Sequence, residues 1–318
     1  LKTTAYLAID AGGTYMKSAV MEKAGAIVEG SVFSNRSFSD GSCEQILEAF
    51  RLTFAHGLRV IRERGMQLGG IGIAIPGPFD YDRATPLMQH KYKSIYGQDL
   101  RSAFYQMPEI EPGLPVRFTQ DANAILTGEI RFGNARGYGN AAVATLGTGL
   151  GFAISEQGKV LCNPLGGPFY SIFRIPYRDG ILEDYTAKEG ILKHYRMLCP
   201  AGNAERLEVA DIGRGADNGD TACIRAFEAV GKVLGDSLRD ILLERNTECL
   251  LLGGQIARSF RHMEKTLKET LEQVGSLRCI EQVKNIDNAA LIGVHAILLQ
   301  DYRIDSDYPL SLDNGARR

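Results

Sequence analysis

Apolar residues gather in short blocks at the start of the chain, at Tyr6–Asp10, Met16–Met21 and Ile27–Phe33, with Gly12-Gly13 and Gly25 between them. Blocks of this length bounded by glycine predict three strands, and turns this short make them antiparallel neighbours. The period then changes. Ile46, Leu47, Phe50, Phe54, Leu58 and Ile61 recur at helical spacing, and Ser42 with Gln45 forms a capping box in front of them. Gly65 closes this helix, and Ile71–Ile75 is an unbroken apolar run, a buried strand stopped by Pro76-Gly77-Pro78. The stretch from Asp80 to Pro115 is irregular and rich in Tyr, Lys, Gln and Pro, an excursion too long for a plain connection. Val116–Thr119 predicts a strand, and a helix follows over about Ala122–Phe132, closed by Gly-rich Gly133–Gly139.

The opening pattern then repeats. Ala141–Leu146, Phe152–Ser155 and Lys159–Cys162 predict three more strands, with Gly147, Gly149 and Gly151 in the first turn. Helical stretches follow at Leu182–Leu198, Thr221–Glu244 and Ser259–Val274, strands at Cys249–Leu252 and Cys279–Gln282, and a last helix at Asn288–Asp301. This is the signature of an α/β protein built from a duplicated unit, two lobes with a ligand cleft between them. The expected division is residues 1–118 for the N-terminal lobe, with the helix at about 288–302 packing back on it. Residues 119–287 form the C-terminal lobe, and 303–318 a polar, frayed tail.

Composition agrees with two lobes: 318 residues suit two cores of about 150 residues each. With 44% apolar and 23% charged residues the chain is neither disordered nor fibrous. Thirty-six Lys and Arg against 38 Asp and Glu leave a net charge of −2, so no bulk field favours nucleic acid or an anionic membrane as partner. There is no leader-like start and no apolar run near ~18 residues, which makes a cytoplasmic location the expectation. The six cysteines are scattered without a C-x-x-C pair, so free thiols are expected.

Candidate chemistry sits in the glycine turns. Asp10-Ala11-Gly12-Gly13-Thr14 ends a buried strand and turns into the next. It is either a plain hairpin or a concavity of outward N–H groups suited to a phosphate, with Thr14 adding a hydroxyl. Asp10 would then stand where Mg²⁺ bridging the phosphates could be met directly or through water. Gly147-Thr148-Gly149 occupies the same place in the second copy, so that two turns could clamp a polyphosphate. Gly253-Gly254, after the apolar Leu250–Leu252, would let adenosine lie against bare backbone. Gln120-Asp121-Ala122-Asn123 joins a strand to a helix. Asp121 fits the helix N-cap, and it also fits a general base that takes the proton of a sugar hydroxyl attacking the γ-phosphate; the two roles are compatible.

Together these residues resemble the ROK family (repressors, open reading frames and sugar kinases) of actin-like, hexokinase-like ATPases. The likeness rests on DAGGT at 10–14, IPGP at 75–78, QDANA at 120–124 with Glu129 downstream, LGTGLG at 146–151, LLGG at 251–254 and ALIGVHAIL at 290–298. It implies a two-lobed duplicated actin-like (ribonuclease H-like) ATPase fold and ATP-dependent phosphorylation of a monosaccharide, glucokinase-like by default. It also implies Asp121 as catalytic base, ATP phosphates on Gly12, Gly13, Thr14, Gly147, Thr148 and Gly149, adenosine at Gly253 and Gly254, and Mg-ATP as cosubstrate. Sugar contacts are implied at Gly77, Gln120, Asp121 and Glu183. A homodimer is common among relatives.

The departures are specific. Gln120 stands where the family has Asn, and Gly166–Ser171 lacks the Glu and His of the family's sugar-contact stretch. The family's zinc run is eroded at Arg174–Glu183 to one Gly and the final Glu183, so no zinc is expected. Glu183 remains either a sugar ligand or a first-turn carboxylate favoured by the helix dipole. His90-Lys91-Tyr92-Lys93-Ser94-Ile95-Tyr96 lies where the family places a sugar-contacting Asn. It is either a solvated loop or a replacement in which His90 and Lys91 meet an unusual or charged sugar. Lys17 is similarly open. The first strand begins by about residue 5 with no basic helix before it, so a DNA-reading element is not expected. A sugar-binding regulator or pseudokinase without that element is the alternative to an active kinase.

Overall fold

The computed structural model describes residues 2–199 and 207–300. In the first lobe β1 (Thr4–Ala11), β2 (Tyr15–Glu22) and β3 (Phe33–Arg36) run antiparallel. Helix α1 (Cys43–Glu63) then crosses to β4 (Gln67–Ala74), parallel to β1. After the short pair β5 (Phe79–Asp80) and β6 (Thr85–Pro86) and helix α2 (Leu100–Tyr105), β7 (Val116–Thr119) adds in parallel beside β4. The sheet order is β3-β2-β1-β4-β7.

Helix α3 (Asp121–Phe132) leads to β8 (Ala141–Leu146), β9 (Leu150–Glu156) and β10 (Lys159–Val160), again antiparallel. A small hairpin of β11 (Pro176–Tyr177) and β12 (Gly180–Ile181) follows. Helices α4 (Glu183–Thr186), α5 (Lys188–Leu198), α6 (Val209–Asp217) and α7 (Thr221–Glu244) precede β13 (Cys249–Gly253). Then come α8 (Phe260–Thr270), β14 (Cys279–Gln282) and α9 (Ala289–Leu298). The second sheet, β10-β9-β8-β13-β14, repeats the order and the strand directions of the first. The duplicated sequence pattern is therefore a duplicated topology.

Each sheet is covered on both faces. Period two sends Leu7, Ile9 and Ala11 to the core under α1, with Phe50, Phe54, Phe104 and Phe118, while Ala8 and Tyr6 face α9. By the same alternation Asp10 belongs to the α9 and α3 side of β1. In the second lobe Leu250 and Leu252 pack with Phe227, Leu234 and Met263 of α7 and α8, and Leu251 packs with Ile125 and Leu126 of α3. Helices α3 and α9 thus lie between the lobes, and α9 packs on β1 and β4 as well as on α3.

Small residues set how closely these helices approach. A Cβ at Gly72 would fall 2.4 Å from Val294, one at Gly128 2.9 Å from the Gly293 backbone, and one at Gly293 1.9 Å from the Ala124 carbonyl. In an exposed helix Gly→Ala gains about 1 kcal/mol. Against fixed backbone, overpacking costs roughly 1–3 kcal/mol or more, so Gly293→Ala is expected to destabilise the protein by about 2 kcal/mol. Urea unfolding checks this, and an unchanged midpoint would mean the helix contact has room to shift.

Several sequence expectations are corrected. The third strand is Phe33–Arg36 instead of Ile27–Phe33. Ile27 makes only a bridge to Met21, Gly30 turns at φ +74°, and Ser31 Oγ donates to the Val28 carbonyl at 2.6 Å, so the chain bends before it re-pairs. The last strand of the second hairpin stops at Val160, because Cys162 bridges to Pro168. The helix expected at 182–198 is two helices. Ala187 is extended there, and a Cβ at Gly190 would fall 2.3 Å from the Tyr185 backbone, which glycine alone allows. Helix α6 is an element that the apolar spacing does not predict. The tail at 303–318 lies outside the described residues. Among the described residues no helix is long and apolar enough to cross a membrane, and the six cysteines form no disulfide.

Candidate active site

The first hairpin is held from behind. Ser37 Oγ and Ser39 Oγ both donate to the Gly13 carbonyl, at 2.8 and 2.5 Å, and Tyr92 Oη donates to the Gly12 carbonyl at 2.8 Å. In a trans peptide the N–H points opposite to the carbonyl, so these bonds turn the Gly13 and Thr14 amides away from the protein. Neither amide has a partner among the described residues. Thr14 is exposed and Gly12 and Gly13 half-buried. The spacing of Ser37, Ser39 and Tyr92 in the chain carries no mark of a role that depends on a turn some 25 or 80 residues earlier.

Helix α3 begins directly after β7, and its start differs from the expectation. The N-cap is Gln120, whose Oε1 accepts from the Asn123 amide at 3.0 Å. Asp121 is the first helical residue, with Oδ1 accepting from the Ala122 amide at 2.8 Å and from Gln120 Nε2. Gln120, expected to offer its amide to a sugar, is buried and spends both ends on the cap and on Asp121.

Asp10 and Asp121 share one electrostatic environment. Burial, then the negative charge of Asp121, push the Asp10 carboxyl up to about 7, with Lys17 offsetting part of the rise. Burial also raises Asp121, opposed by the Ala122 amide, the Gln120 amide and the charge of Lys91. The second hairpin reaches the same place: Gly151, just beyond it, is so close to α3 that a Cβ there would lie 3.4 Å from Ala122 Cβ.

In that second hairpin the Thr148 side is exposed, Gly147 N–H donates to the Gly149 carbonyl at 3.1 Å, and Lys188 N–H donates to the Gly147 carbonyl at 3.0 Å. Glu183 meets it in a way not expected. Its Oε2 accepts from the Leu150 amide at 2.7 Å and lies 2.7 Å from where a Gly149 Cβ would be. This carboxylate braces the hairpin instead of serving its own helix. At the third glycine pair, Gly253 is buried at the end of β13 beside Thr145, and Gly254 has φ +79° with the Leu146 carbonyl 2.2 Å from a would-be Cβ. Close packing on β8 and the positive φ are reason enough for Gly254, whereas a Cβ at Gly253 would meet Val283 at 3.3 Å and Thr145 at 3.4 Å, which those side chains could yield to; of the two, only Gly254 retains exposed surface.

Gly77 lies at the cleft end of the first lobe, before a cis Pro78 and against Tyr81, whose Oη donates to the Ile75 carbonyl at 2.9 Å. The Tyr81 amide crosses to the Leu165 carbonyl of the second lobe at 2.9 Å. Beyond Leu165, where the resemblance places Glu and His, Tyr170 Oη accepts from Arg245 Nε at 2.8 Å and Phe169 stacks under the same guanidinium. Asn163 closes the turn onto the Leu165 and Gly167 amides. His90 is exposed and makes no hydrogen bond or ion pair among the described residues. Lys91, expected in the sugar pocket, instead lies across Gly13. In the eroded zinc run, β11 and β12 are held by side chains: Tyr185 Oη donates to Asp179, and Lys193 Nζ sits 3.9 Å over the Tyr185 ring.

Two copies of a five-stranded sheet, each ending its first strand in a glycine hairpin, with a carboxylate at the helix between them, make up the actin-like ATPase fold. A ROK family glucokinase from Streptomyces griseus, solved with glucose and AMPPNP, superposes with a TM-score of 0.76 at 22% identity, covering 92% of this chain and 98% of that one. A ROK family transcriptional regulator, described as a homologue of the E. coli MLC protein, superposes at 0.81 with 19% identity, covering 93% and 78%. The family model described as the ROK family matches residues 6–166, just over half of the chain, and the chain belongs to that family. Among curated relatives, a glucokinase from Halalkalibacterium halodurans is 26% identical over 291 residues, 84% of this chain and 85% of that protein.

Proposed function

We propose that the protein is an ATP-dependent kinase of a monosaccharide, with Asp121 as the general base. The observation that carries this reading is the electrostatic coupling of Asp10, Asp121 and Lys91 beside a hairpin whose free amides point outward. ATP phosphates would bind the amides of Gly13 and Thr14 and the turn at Thr148, and adenosine would lie beside Gly254. Among the described residues no group of three or more His, Cys, Asp or Glu could hold a metal on its own. One carboxylate, Asp10, plus phosphate oxygens is the usual way Mg²⁺ is held at a nucleotide, so the donor set fits Mg-ATP. When bound, Mg²⁺ supplies charge neutralisation at the phosphates.

The sugar hydroxyl would lie at Asp121, which takes its proton as the oxygen attacks the γ-phosphorus. Gly77 and the turn at Gly166–Gly167 would flank the ring with backbone. In the stretch where the family carries its selecting Glu and His, Phe169 and Tyr170 are committed to Arg245, so a neutral hexose would be held with fewer specific hydrogen bonds and discriminated less sharply from its epimers. The fold relatives include both glucose-binding kinase and regulator, and measured turnover separates the two. ADP release across a panel of hexoses, hexosamines and pentoses should rise at least about tenfold over the water-only rate with one of them. If ATP binds and no sugar raises the rate, the kinase reading is wrong and a sugar-binding regulator stands in its place.

A further inference from the structure

We propose that Lys91 is a catalytic cation of the phosphoryl transfer: its ammonium holds the γ-phosphoryl group on the first hairpin. The inference rests on the kinase reading above and assigns a group that reading does not use. Lys91 lies along Gly13, where a Cβ would fall 2.9 Å from its Cε and 3.1 Å from its Cδ and Nζ. Its ammonium makes no hydrogen bond or ion pair among the described residues, although the side chain is half-buried. A long cation held partly out of water costs side-chain entropy and hydration, and no hydrogen bond or ion pair among the described residues offsets that cost; the charge of Asp121 acts on it only from a distance.

The loop that carries Lys91 is fixed. The next residue, Tyr92, is fully buried; its Oη reaches the Gly12 and Ala11 carbonyls and its amide donates to the Ser39 carbonyl at 2.6 Å. Ser94 Oγ donates to the Gly41 carbonyl at 2.7 Å, and Ile95 is buried. The hydroxyl that orients the hairpin and the ammonium that overlies it therefore come from adjacent residues, so hairpin and cation are positioned as one unit. The lysine whose charge acts on Asp10 is committed elsewhere: Lys17 Nζ donates to the Asp287 carbonyl at 2.7 Å.

What completes this arrangement is a tetrahedral anion. Free amides at Gly13 and Thr14 and one free ammonium can share its oxygens, while Asp121 stands within electrostatic reach of the same ammonium. During transfer the bond from the sugar oxygen to the γ-phosphorus forms as the bond from that phosphorus to the β,γ-bridging oxygen breaks. The sugar proton goes to Asp121, and ADP leaves with the bridging electrons. Lys91 binds the equatorial oxygens of the group in flight and keeps the ionised base close to it without joining the proton transfer.

The test compares Lys91→Met, which keeps the stem and removes the charge, with Lys91→Arg. Binding of ATP and of ADP is measured by calorimetry, alongside kcat and KM. The wild type should bind ATP more tightly than ADP. In Lys91→Met, ATP affinity should fall about tenfold with ADP affinity unchanged and kcat reduced about 100-fold; Lys91→Arg should recover part of both. A Lys91→Met that keeps the ATP-over-ADP preference and kcat within about twofold overturns the proposal, and so does a variant whose only change is a raised KM for the sugar, which would place the ammonium on the acceptor. The binding arm stands even if no sugar is turned over, so failure of the kinase reading and failure of this assignment give different results.

Discussion

Asp121→Asn should lower kcat by about 10³-fold or more while ATP affinity stays within about threefold of wild type. The substitution is structurally quiet for a reason visible at the helix start. The cap is made by Gln120, not by Asp121, and an Asn at 121 still offers an oxygen to the Ala122 amide and to Gln120 Nε2. What it loses is the ability to accept a proton. Burial shifts the Asp121 carboxyl upward, which brings a weak base nearer to working pH and makes the proton transfer more favourable. The amides that would hold ATP belong to other residues, so binding should survive. Single-turnover ADP formation with equilibrium ATP binding checks both halves, and turnover near the wild-type rate would remove Asp121 from the role of base.

How far the sequence reveals this site depends on the reach of each interaction. The capping box of Ser42 and Gln45, the two glycine hairpins and the duplicated strand order are local or periodic features, and they are legible in the chain and present in the structure. The partners that orient the first hairpin are not local. Ser37, Ser39 and Tyr92 act on Gly12 and Gly13 through contacts that nothing in their own neighbourhood announces. Glu183 illustrates the same limit from the other side. Its position at a helix start suggests a dipole contact and family likeness suggests a sugar, yet its carboxylate crosses to the Leu150 amide. For Gln120 the residue type suggests an amide offered to a sugar, but its Oε1 caps α3 and its Nε2 turns to Asp121. For Lys91 the sequence leaves a solvated loop and a sugar contact both open; its placement over Gly13 follows from the anchoring of Tyr92, a contact across some 80 residues.

Asp10 ties stability and function to pH in opposite directions. With its carboxyl at about 7 in the folded protein against 3.8 for the free side chain, the folded state holds this proton more tightly than the unfolded chain. Ionising Asp10 therefore costs stability as pH rises from about 4 to about 7, and the cost is constant above that. Asp10→Asn removes it, so the variant should be more stable than wild type at pH 8 by on the order of 2–4 kcal/mol, an advantage that fades as pH falls toward 4. The same proton must leave for Asp10 to meet a cation at the phosphates. Mg-ATP binding at pH 6 should release close to one proton from the protein, seen as a binding enthalpy that depends on the ionisation enthalpy of the buffer, and affinity should weaken as pH falls below about 7. Asp10→Asn serves as the control for titration of the nucleotide itself: it should bind Mg-ATP weakly, without that extra proton, and turn over poorly. A gain in stability joined to a loss of binding is what a carboxylate kept for its ligand at the expense of the fold would give. If instead the variant were less stable than wild type at pH 8, Asp10 would be serving the fold, and the shared field with Asp121 would have to be read as structural.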